Sequence, residues 1–287
     1  MKTAYVVLSH RDPEQVLRLV RLLRTAGSVV LHHDDRQGAL DDRALAGVER
    51  VLPPTPVAWG WASQLDALLR CLRHALDRVD FDWLVVLSGQ DYPIRPLADI
   101  DAALRDGGFD GYVEGVPVAP PGWSRDAGDE FARRYFYRYR AVRPPGPALR
   151  RAVSAARPLV TLRDMPWGAV LGVRSGGPGL PVRRGSDWLT LSRRAVEVVA
   201  GAAPEVIRHY RRTVSPTESL PHTVLYADPS LRLSGDTRRF SKWVPGSLHP
   251  AVLGMDDLDA VLASGADFAR KFEDPRVLDA LDRVVLG

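Results

Sequence analysis

The feature that most constrains the fold is a short, almost uninterrupted apolar run, Trp83-Leu84-Val85-Val86-Leu87. A strand with one solvated face alternates apolar and polar residues, so a continuous apolar run of this length is typical of a strand buried on both faces of a parallel sheet. Parallel neighbours require crossover connections, which are usually helices. The run therefore predicts a layered α/β domain.

The segments before this run supply the matching strands and helices. Ala4 to Leu8 and Ser28 to His32 are short apolar segments that predict two further strands. A helix is predicted to begin at Asp12-Pro13-Glu14, and residues 63–79 carry apolar side chains at a period near 3.6. The β-α-β-α-β order predicts a mostly parallel central sheet with helices on both faces, and ligands in such sheets bind beyond the carboxyl ends of the strands.

The middle of the chain has a different character. From Pro117 to Gly179 it is rich in proline, glycine and arginine, which predicts a long irregular loop that binds substrate or is partly mobile. Regular structure is expected to return with Asp187-Trp188-Leu189-Thr190-Leu191, followed by a helix from Arg193 to Ala200 and a last helical segment from Asp256 to Leu262. We expect one domain over 1–287, with a nucleotide-binding half (1–115), a variable acceptor-side region (116–180) and a catalytic, diphosphate-binding half (181–287).

Composition narrows the class of protein. No run of about 18 apolar residues occurs, so no membrane span is predicted. The lone Cys71 cannot form a disulfide framework, which favours a cytoplasmic protein. The net charge of +4 comes from scattered arginines without a DNA-binding motif, so we expect an anionic small molecule as partner and no nucleic acid.

Compact catalytic signatures are absent from the sequence: it has no GxGxxG, Walker phosphate loop, GxSxG, HExxH or CxxC. His32-His33-Asp34-Asp35 stands at a predicted strand end, where alternate side chains point to opposite faces. At most two of the four would face one ligand, so we expect no metal site.

Several strings, in a fixed order along most of the chain, resemble one family. They are Ala4-Tyr5-Val6-Val7-Leu8-Ser9-His10-Arg11-Asp12-Pro13-Glu14-Gln15, Leu31-His32-His33-Asp34, Leu87-Ser88-Gly89-Gln90-Asp91-Tyr92-Pro93-Ile94, Gly185-Ser186-Asp187-Trp188, Ser215-Pro216-Thr217-Glu218 and Phe268-Ala269-Arg270-Lys271-Phe272. The set is similar to the core-2/I-branching enzymes, which include β-1,6-N-acetylglucosaminyltransferases and peptide O-xylosyltransferases. The resemblance implies a GT-A-type fold and an inverting glycosyl transfer from a UDP-sugar that needs no divalent cation and no other cofactor.

The resemblance assigns the catalytic base to Glu218, in the P-x-E string. A carboxylate within hydrogen-bond reach of a hydroxyl is a suitable general base, and partial burial would raise its pKa toward the working range. The alternative is a surface glutamate at the start of a helix after Ser215-Pro216.

The departing diphosphate needs positive charge, and no Asp-x-Asp follows the buried strand to hold a metal ion. By resemblance the charge comes from Lys271, with Arg270 beside it; Arg239 and Lys242 are our candidates for the partner arginine of the family. The alternative for Lys271 is a solvated cation at a helix end.

The resemblance places Asp34 and Ser63 near the nucleoside. Asp91 follows the carboxyl end of a predicted strand, which is the expected location for donor-sugar contacts. Ser63 has an alternative role as a helix N-cap.

For the acceptor, the resemblance indicates Glu114 and Arg134, and Trp188 as a ring that stacks on a sugar or belongs to the core. The 117–179 region is expected to select the acceptor, a hydroxyl-bearing glycan, glycoside or natural product. Two other functions stay open: a nucleotide-sugar- or carbohydrate-binding protein without turnover, and a metal-dependent transferase.

Overall fold

The computed structural model describes residues 1–123, 130–247 and 249–286. Its helices are α1 Pro13–Leu23, α2 Ala62–Arg78, α3 Leu97–Asp106, α4 Glu130–Tyr135, α5 Pro147–Ala155, α6 Arg193–Ala200, α7 Pro204–Tyr210, α8 Leu220–Ala227, α9 Leu258–Ala263 and α10 Pro275–Val285. Short 3₁₀ helices span Asp35–Gln37, Asp42–Leu45, Pro216–Glu218 and Met255–Asp257.

The strands are from two to seven residues long. They are β1 Thr3–Ser9, β2 Gly27–His33, β3 Glu49–Arg50, β4 Trp83–Ser88, β5 Tyr92–Pro93, β6 Gly111–Tyr112, β7 Val116–Pro117, β8 Tyr137–Val142, β9 Val160–Met165, β10 Gly168–Arg174, β11 Arg183–Arg184, β12 Thr190–Ser192, β13 Leu233–Ser234, β14 Arg239–Ser241 and β15 Phe268–Arg270.

Within the described residues, seven strands form the central sheet in the order β13-β6-β12-β4-β1-β2-β3. Strands β1, β2 and β4 pair in parallel, whereas β12 runs antiparallel to both of its neighbours. The mostly parallel sheet predicted from the sequence is confirmed. The carboxyl ends of β1, β2 and β4 meet at one edge, at Ser9, His33 and Ser88.

Alternate residues of β1 and β4 point into two separate cores, one on each face of the sheet. Val6 and Val86 pack with α2, α6 and α8, while Tyr5 and Val85 pack with α1, α3 and α10. All four side chains are fully buried. Burial on both faces explains the unbroken apolar run and confirms the predicted α/β class with helices on both faces.

The prediction of a loop from Pro117 to Gly179 is wrong for most of the residues of this region that the structure describes. This region holds α4, α5 and an antiparallel sheet in the order β8-β10-β9. Tyr137 and Tyr139 are buried and alternate with exposed Arg138 and Arg140, a period-two pattern typical of a half-buried strand. The prolines of this region lie outside these three strands, so they do not interrupt the hydrogen bonds of the sheet. Residues 124–129 lie outside the described part.

The carboxyl-terminal part contains more helix than the sequence analysis predicted. The segment expected from Asp256 to Leu262 is the 3₁₀ helix Met255–Asp257 followed by α9, and α10 then packs Val277, Leu281 and Val285 into the core. A separate three-stranded sheet, β14-β15-β5, pairs β15 of this part with β5, the strand that follows β4 along the chain. It places Arg239 and Arg270 close to Asp91, which directly precedes β5.

Candidate functional site

Glu218 is held by backbone contacts to two distant segments. It ends the 3₁₀ helix Pro216–Glu218, which follows Ser215 in the left-handed region at φ 49°. The Ser215 amide donates to the Gly60 carbonyl at 2.9 Å, and the Gly185 amide donates to the Glu218 carbonyl at 2.9 Å. The Glu218 side chain is 25% exposed, so it is not the surface glutamate that the sequence left as an alternative.

The surroundings of Glu218 oppose its ionisation. Burial is the larger cause and the neighbouring Asp187 carboxylate the second, and together they raise the pKa of Glu218 to about 7. Arg134 donates from Nη1 to Glu218 Oε2 at 2.8 Å, and the positive charges of Arg134 and Arg184 favour the carboxylate. A carboxyl group with a pKa near 7 is suited to accept a proton at neutral pH.

Asp187 is a site residue that the sequence analysis did not single out. Burial raises its pKa as well. Its Oδ1 is buried without a hydrogen-bond partner among the described residues, and its Oδ2 accepts from Gln64 Nε2 at 3.4 Å. Gln64 Oε1 in turn accepts from the Gly60 amide at 2.9 Å. The signal for Asp187 was its position immediately before Trp188 in one of the quoted strings.

Arg270 connects this carboxylate pair to the edge of the central sheet. Its guanidinium lies 4.4 Å from the centre of the Trp188 ring, and its Nε is 3.5 Å from Asp91 Oδ1. Asp91 is buried and accepts a hydrogen bond from the Ser88 amide. Trp188 therefore stacks on an arginine, and Asp91 holds that arginine beyond the end of β4.

Two of the other predicted cations lie in the same area. Arg239 extends over the Phe268 ring at 4.7 Å and donates to the Val86 carbonyl at 3.2 Å. Its Nε and Nη1 have no partner among the described residues, and burial lowers its pKa to about 10. Lys271 is half-buried after β15, where burial and then the charge of Arg270 lower its pKa, so it is not a helix-end cation.

Lys242 is placed differently from the other three cations. Its ammonium is exposed and pairs with Asp257 at 2.6 Å. An exposed lysine that already has a carboxylate partner supplies less net charge to a bound anion than an unpaired cation does.

Asp34 and Ser63 hold the same stretch of backbone. Asp34 Oδ2 accepts from the Val57 amide at 2.8 Å, and Ser63 Oγ accepts from the Ala58 amide at 2.8 Å. Hydrogen bonds from Arg36 to Asp34 are the main cause of a pKa of about 2 for this carboxyl. The N-cap of α2 is Trp61, so the N-cap alternative for Ser63 is wrong.

Glu114 borders the site through its backbone. Its side chain is exposed, and its carbonyl oxygen lies 2.6 Å from Nδ1 of the buried His222. The other ring nitrogen of His222 lies 2.8 Å from the Ser186 carbonyl. Glu114 is thereby brought beside the segment that carries Asp187.

An aromatic wall, made of Trp59, Trp61 and Trp167, joins the antiparallel sheet to the site. The rings of Trp61 and Trp167 are 5.1 Å apart, and Trp167 Nε1 donates to the Trp59 carbonyl at 3.0 Å. Gly60 lies between Trp59 and Trp61, and its carbonyl accepts the hydrogen bond from the Ser215 amide. Sequence reasoning missed this wall because Trp167 lies at the β9–β10 turn, inside the region predicted as loop.

Comparison with known proteins identifies the family. Residues 3–107 and 144–262 match the sequence profile of the Core-2/I-Branching enzyme. The chain belongs to this family. The matched segments include Asp34, Ser63, Asp91, Asp187 and Glu218, whereas Arg270 and Lys271 lie beyond them.

The curated relatives are glycosyltransferases. Xylosyltransferase 1 of Homo sapiens is 26% identical over 261 residues, which cover 85% of this chain and 24% of that protein. Xylosyltransferase oxt of Drosophila melanogaster is 26% identical over 85% of this chain and 25% of its own length. The β-glucuronosyltransferase GlcAT14A of Arabidopsis thaliana is 27% identical over 79% of this chain and 47% of its length. The chain thus spans about a quarter of the length of the xylosyltransferases that it matches.

The described residues contain neither a candidate membrane span nor a candidate metal site. None of the helices in this part of the chain has the length and apolar character to cross a membrane. Likewise, His, Cys, Asp and Glu side chains in residues 1–123, 130–247 and 249–286 form no group of three or more arranged to hold a metal ion.

The raised pKa of Glu218 makes a prediction about stability. Between its ordinary value of 4.5 and about 7, the folded chain binds this proton more tightly than the unfolded chain, so the stability that the proton gives is lost as pH rises through about 7. We expect the neutral isostere Glu218→Gln to melt above the wild type at pH 8.5, by a margin that nearly vanishes at pH 4.5, in differential scanning calorimetry.

The matched control is Glu197→Gln, which changes an exposed glutamate of α6. Its difference in melting temperature from the wild type should not vary with pH. A pH-independent difference for Glu218→Gln, or one of opposite sign, would contradict the ionisation state that we derive for Glu218.

Proposed function

We propose that this chain is an inverting glycosyltransferase that moves GlcNAc or xylose from a UDP-sugar to an acceptor hydroxyl, with Glu218 as general base and without a metal ion. The observation that supports this most is the pKa of about 7 for a partly buried glutamate hydrogen-bonded to Arg134. The names of the relatives, xylosyltransferase and β-glucuronosyltransferase, support sugar transfer in general.

In this proposal Glu218 acts on the acceptor. Arg134 occupies Oε2, while Oε1 accepts no hydrogen bond from the described residues. Oε1 is thus the atom that takes the proton of the acceptor hydroxyl as its oxygen attacks the anomeric carbon. The new bond forms on the face opposite to the departing diphosphate, so a single displacement inverts the configuration. Arg134 fixes the carboxylate and is a positioning residue.

Positive charge for the leaving diphosphate would come from Arg239, Arg270 and Lys271. These cations are buried or half-buried, so their interaction with an anion is weakly screened by water. Because fixed cations in such a site need not reorganise, they stabilise the negative charge that develops on the leaving group. This arrangement supports, as a proposal, transfer without a metal ion.

The remaining predicted residues fit supporting roles. Asp34 and Ser63, which hold the 57–58 backbone, would border the nucleoside, and Asp91 would position Arg270. Glu114 and the aromatic wall are candidates for the acceptor, since the Trp59 side chain is exposed and indole rings stack on sugar faces. Acceptor choice would then depend on the β8-β10-β9 sheet, which carries Trp167 on its hairpin.

Two alternative functions make different predictions from the same site. A protein that binds nucleotide sugars without turnover would use the same cations and would not need the raised pKa of Glu218. A metal-dependent transferase would lose activity on chelation and regain it with Mn²⁺. Turnover in the presence of a chelator separates all three.

We expect the chain to release UDP from UDP-GlcNAc or UDP-xylose in the presence of EDTA, measured by coupled UDP detection. Glu218→Gln should lower this rate by at least about 10²-fold, because it removes the general base. Glu197→Gln, remote in α6, should leave it unchanged. Activity that requires added Mn²⁺ would contradict the metal-free proposal, and UDP-sugar binding without any turnover would favour the binding protein.

A second prediction concerns the diphosphate cations. Lys271→Ala should weaken UDP binding about tenfold in isothermal titration calorimetry, since it removes a half-buried charge with no carboxylate partner among the described residues. Lys242→Ala removes a lysine that is already paired with Asp257 and should have a smaller effect. If both variants lost the same affinity for UDP, Lys242 would be a diphosphate ligand as well. If Lys271→Ala bound UDP as tightly as the wild type, Lys271 would not be a diphosphate ligand.

A further inference from the structure

A second cleft opens between β8, α7 and the segment after β10, with no lining residue in common with the Glu218 site. Its volume is about 380 Å³. Charged side chains dominate its lining: Arg138 from β8, and Glu205, Arg208 and Arg212 from α7 and the residues that follow it. The backbone of residues 177–179, Gly-Pro-Gly, closes one side. This volume is in the range of small-molecule sites.

The charge in this cleft is not neutralised by the protein. The side chains of Arg138, Arg208 and Arg212 are exposed, and their guanidinium groups form no ion pair or hydrogen bond with the described residues. Glu205 is the acidic member of the lining, so the cleft has a positive excess. Planar guanidinium groups bind the oxygens of phosphate, sulfate and carboxylate with matched geometry.

His209 provides an independent sign of a missing ligand. The residue is 5% exposed and lines the cleft. Its Nε2 lies 2.9 Å from the Tyr135 carbonyl, so Nε2 carries hydrogen and donates to that oxygen. Its Nδ1 is buried and has no hydrogen-bond partner among the described residues. A buried polar atom without a partner costs free energy, which is recovered when Nδ1 gains a proton and donates to an acceptor in the cleft.

We propose that this cleft binds a sulfate- or phosphate-bearing molecule of about monosaccharide size. Its oxyanion is held by Arg138, Arg208 and Arg212 and accepts a hydrogen bond from protonated His209 Nδ1. The site is separate from the donor and acceptor sites proposed around Glu218, and its occupancy does not depend on glycosyl transfer.

Binding at this site is coupled to a proton. Burial and the charge of Arg138 lower the pKa of His209, so the empty cleft holds a neutral imidazole at pH 7. The charged groups that line the cleft with His209 are Arg138 from β8 and Glu205, Arg208 and Arg212 from its own segment; α4 contributes the Tyr135 carbonyl. A bound oxyanion offsets the arginine charges and favours the imidazolium. Affinity should therefore rise as pH falls.

The test uses inorganic sulfate, whose charge stays constant between pH 6 and 8, in isothermal titration calorimetry at constant ionic strength. We expect sulfate to bind more tightly at pH 6 than at pH 8. Arg208→Gln and Arg212→Gln should each weaken binding at least tenfold, while Arg140→Gln should not. Arg140 is the matched control because it is an exposed arginine two residues along β8 that does not line the cleft.

The absence of sulfate binding, or an equal loss in Arg140→Gln, would overturn the site in favour of general surface charge. A sulfated monosaccharide should bind more tightly than free sulfate; equal affinity would overturn the sugar-sized ligand. In the wild type, sulfate should raise the pKa of His209 followed by NMR, and an unchanged His209 titration would contradict its role as donor. None of these measurements requires turnover, so their failure would leave the Glu218 proposal unaffected.

Discussion

The hydrogen-bonded ion pair between Arg134 and Glu218 is the interaction on which the proposed chemistry depends. Burial and the adjacent Asp187 favour a protonated Glu218, whereas Arg134 at 2.8 Å and Arg184 favour the carboxylate. Without the arginines the base would stay protonated at neutral pH, and without the burial it would be too weak a base. The balance places its pKa at about 7, close to the working pH of a general base.

The fold holds this balance by linking segments that are far apart in the chain. Glu218 is fixed against Gly60 and Gly185, while Arg134 comes from α4 in the middle region. The three-stranded sheet β14-β15-β5 brings Arg239 and Arg270 close to Asp91, which lies beyond the carboxyl end of β4. The base and the cations thus lie in one area, joined by the contacts among Asp187, Trp188 and Arg270.

The sequence predicted the features that local pattern determines. The apolar run Trp83–Leu87 predicted the doubly covered sheet, and short motifs indicated Glu218, Arg270 and Lys271. It did not predict β8, β9 and β10, because prolines and glycines interrupt this region and, of the three strands, β8 alone alternates buried and exposed residues. Nor did it predict the pairing of Lys242 with Asp257 or the unpartnered Asp187 Oδ1, since both depend on contacts between distant segments.

The most direct test of the account is the pH dependence of UDP release in Arg134→Gln, compared with Arg133→Gln, which removes a neighbouring arginine of α4. The wild-type rate should rise with pH through about 7 as Glu218 loses its proton. Loss of the Arg134 charge should move this acid limb of the pH–rate profile to higher pH, whereas Arg133→Gln should leave the limb in place. An acid limb that does not move in Arg134→Gln would contradict Glu218 as the base that Arg134 controls.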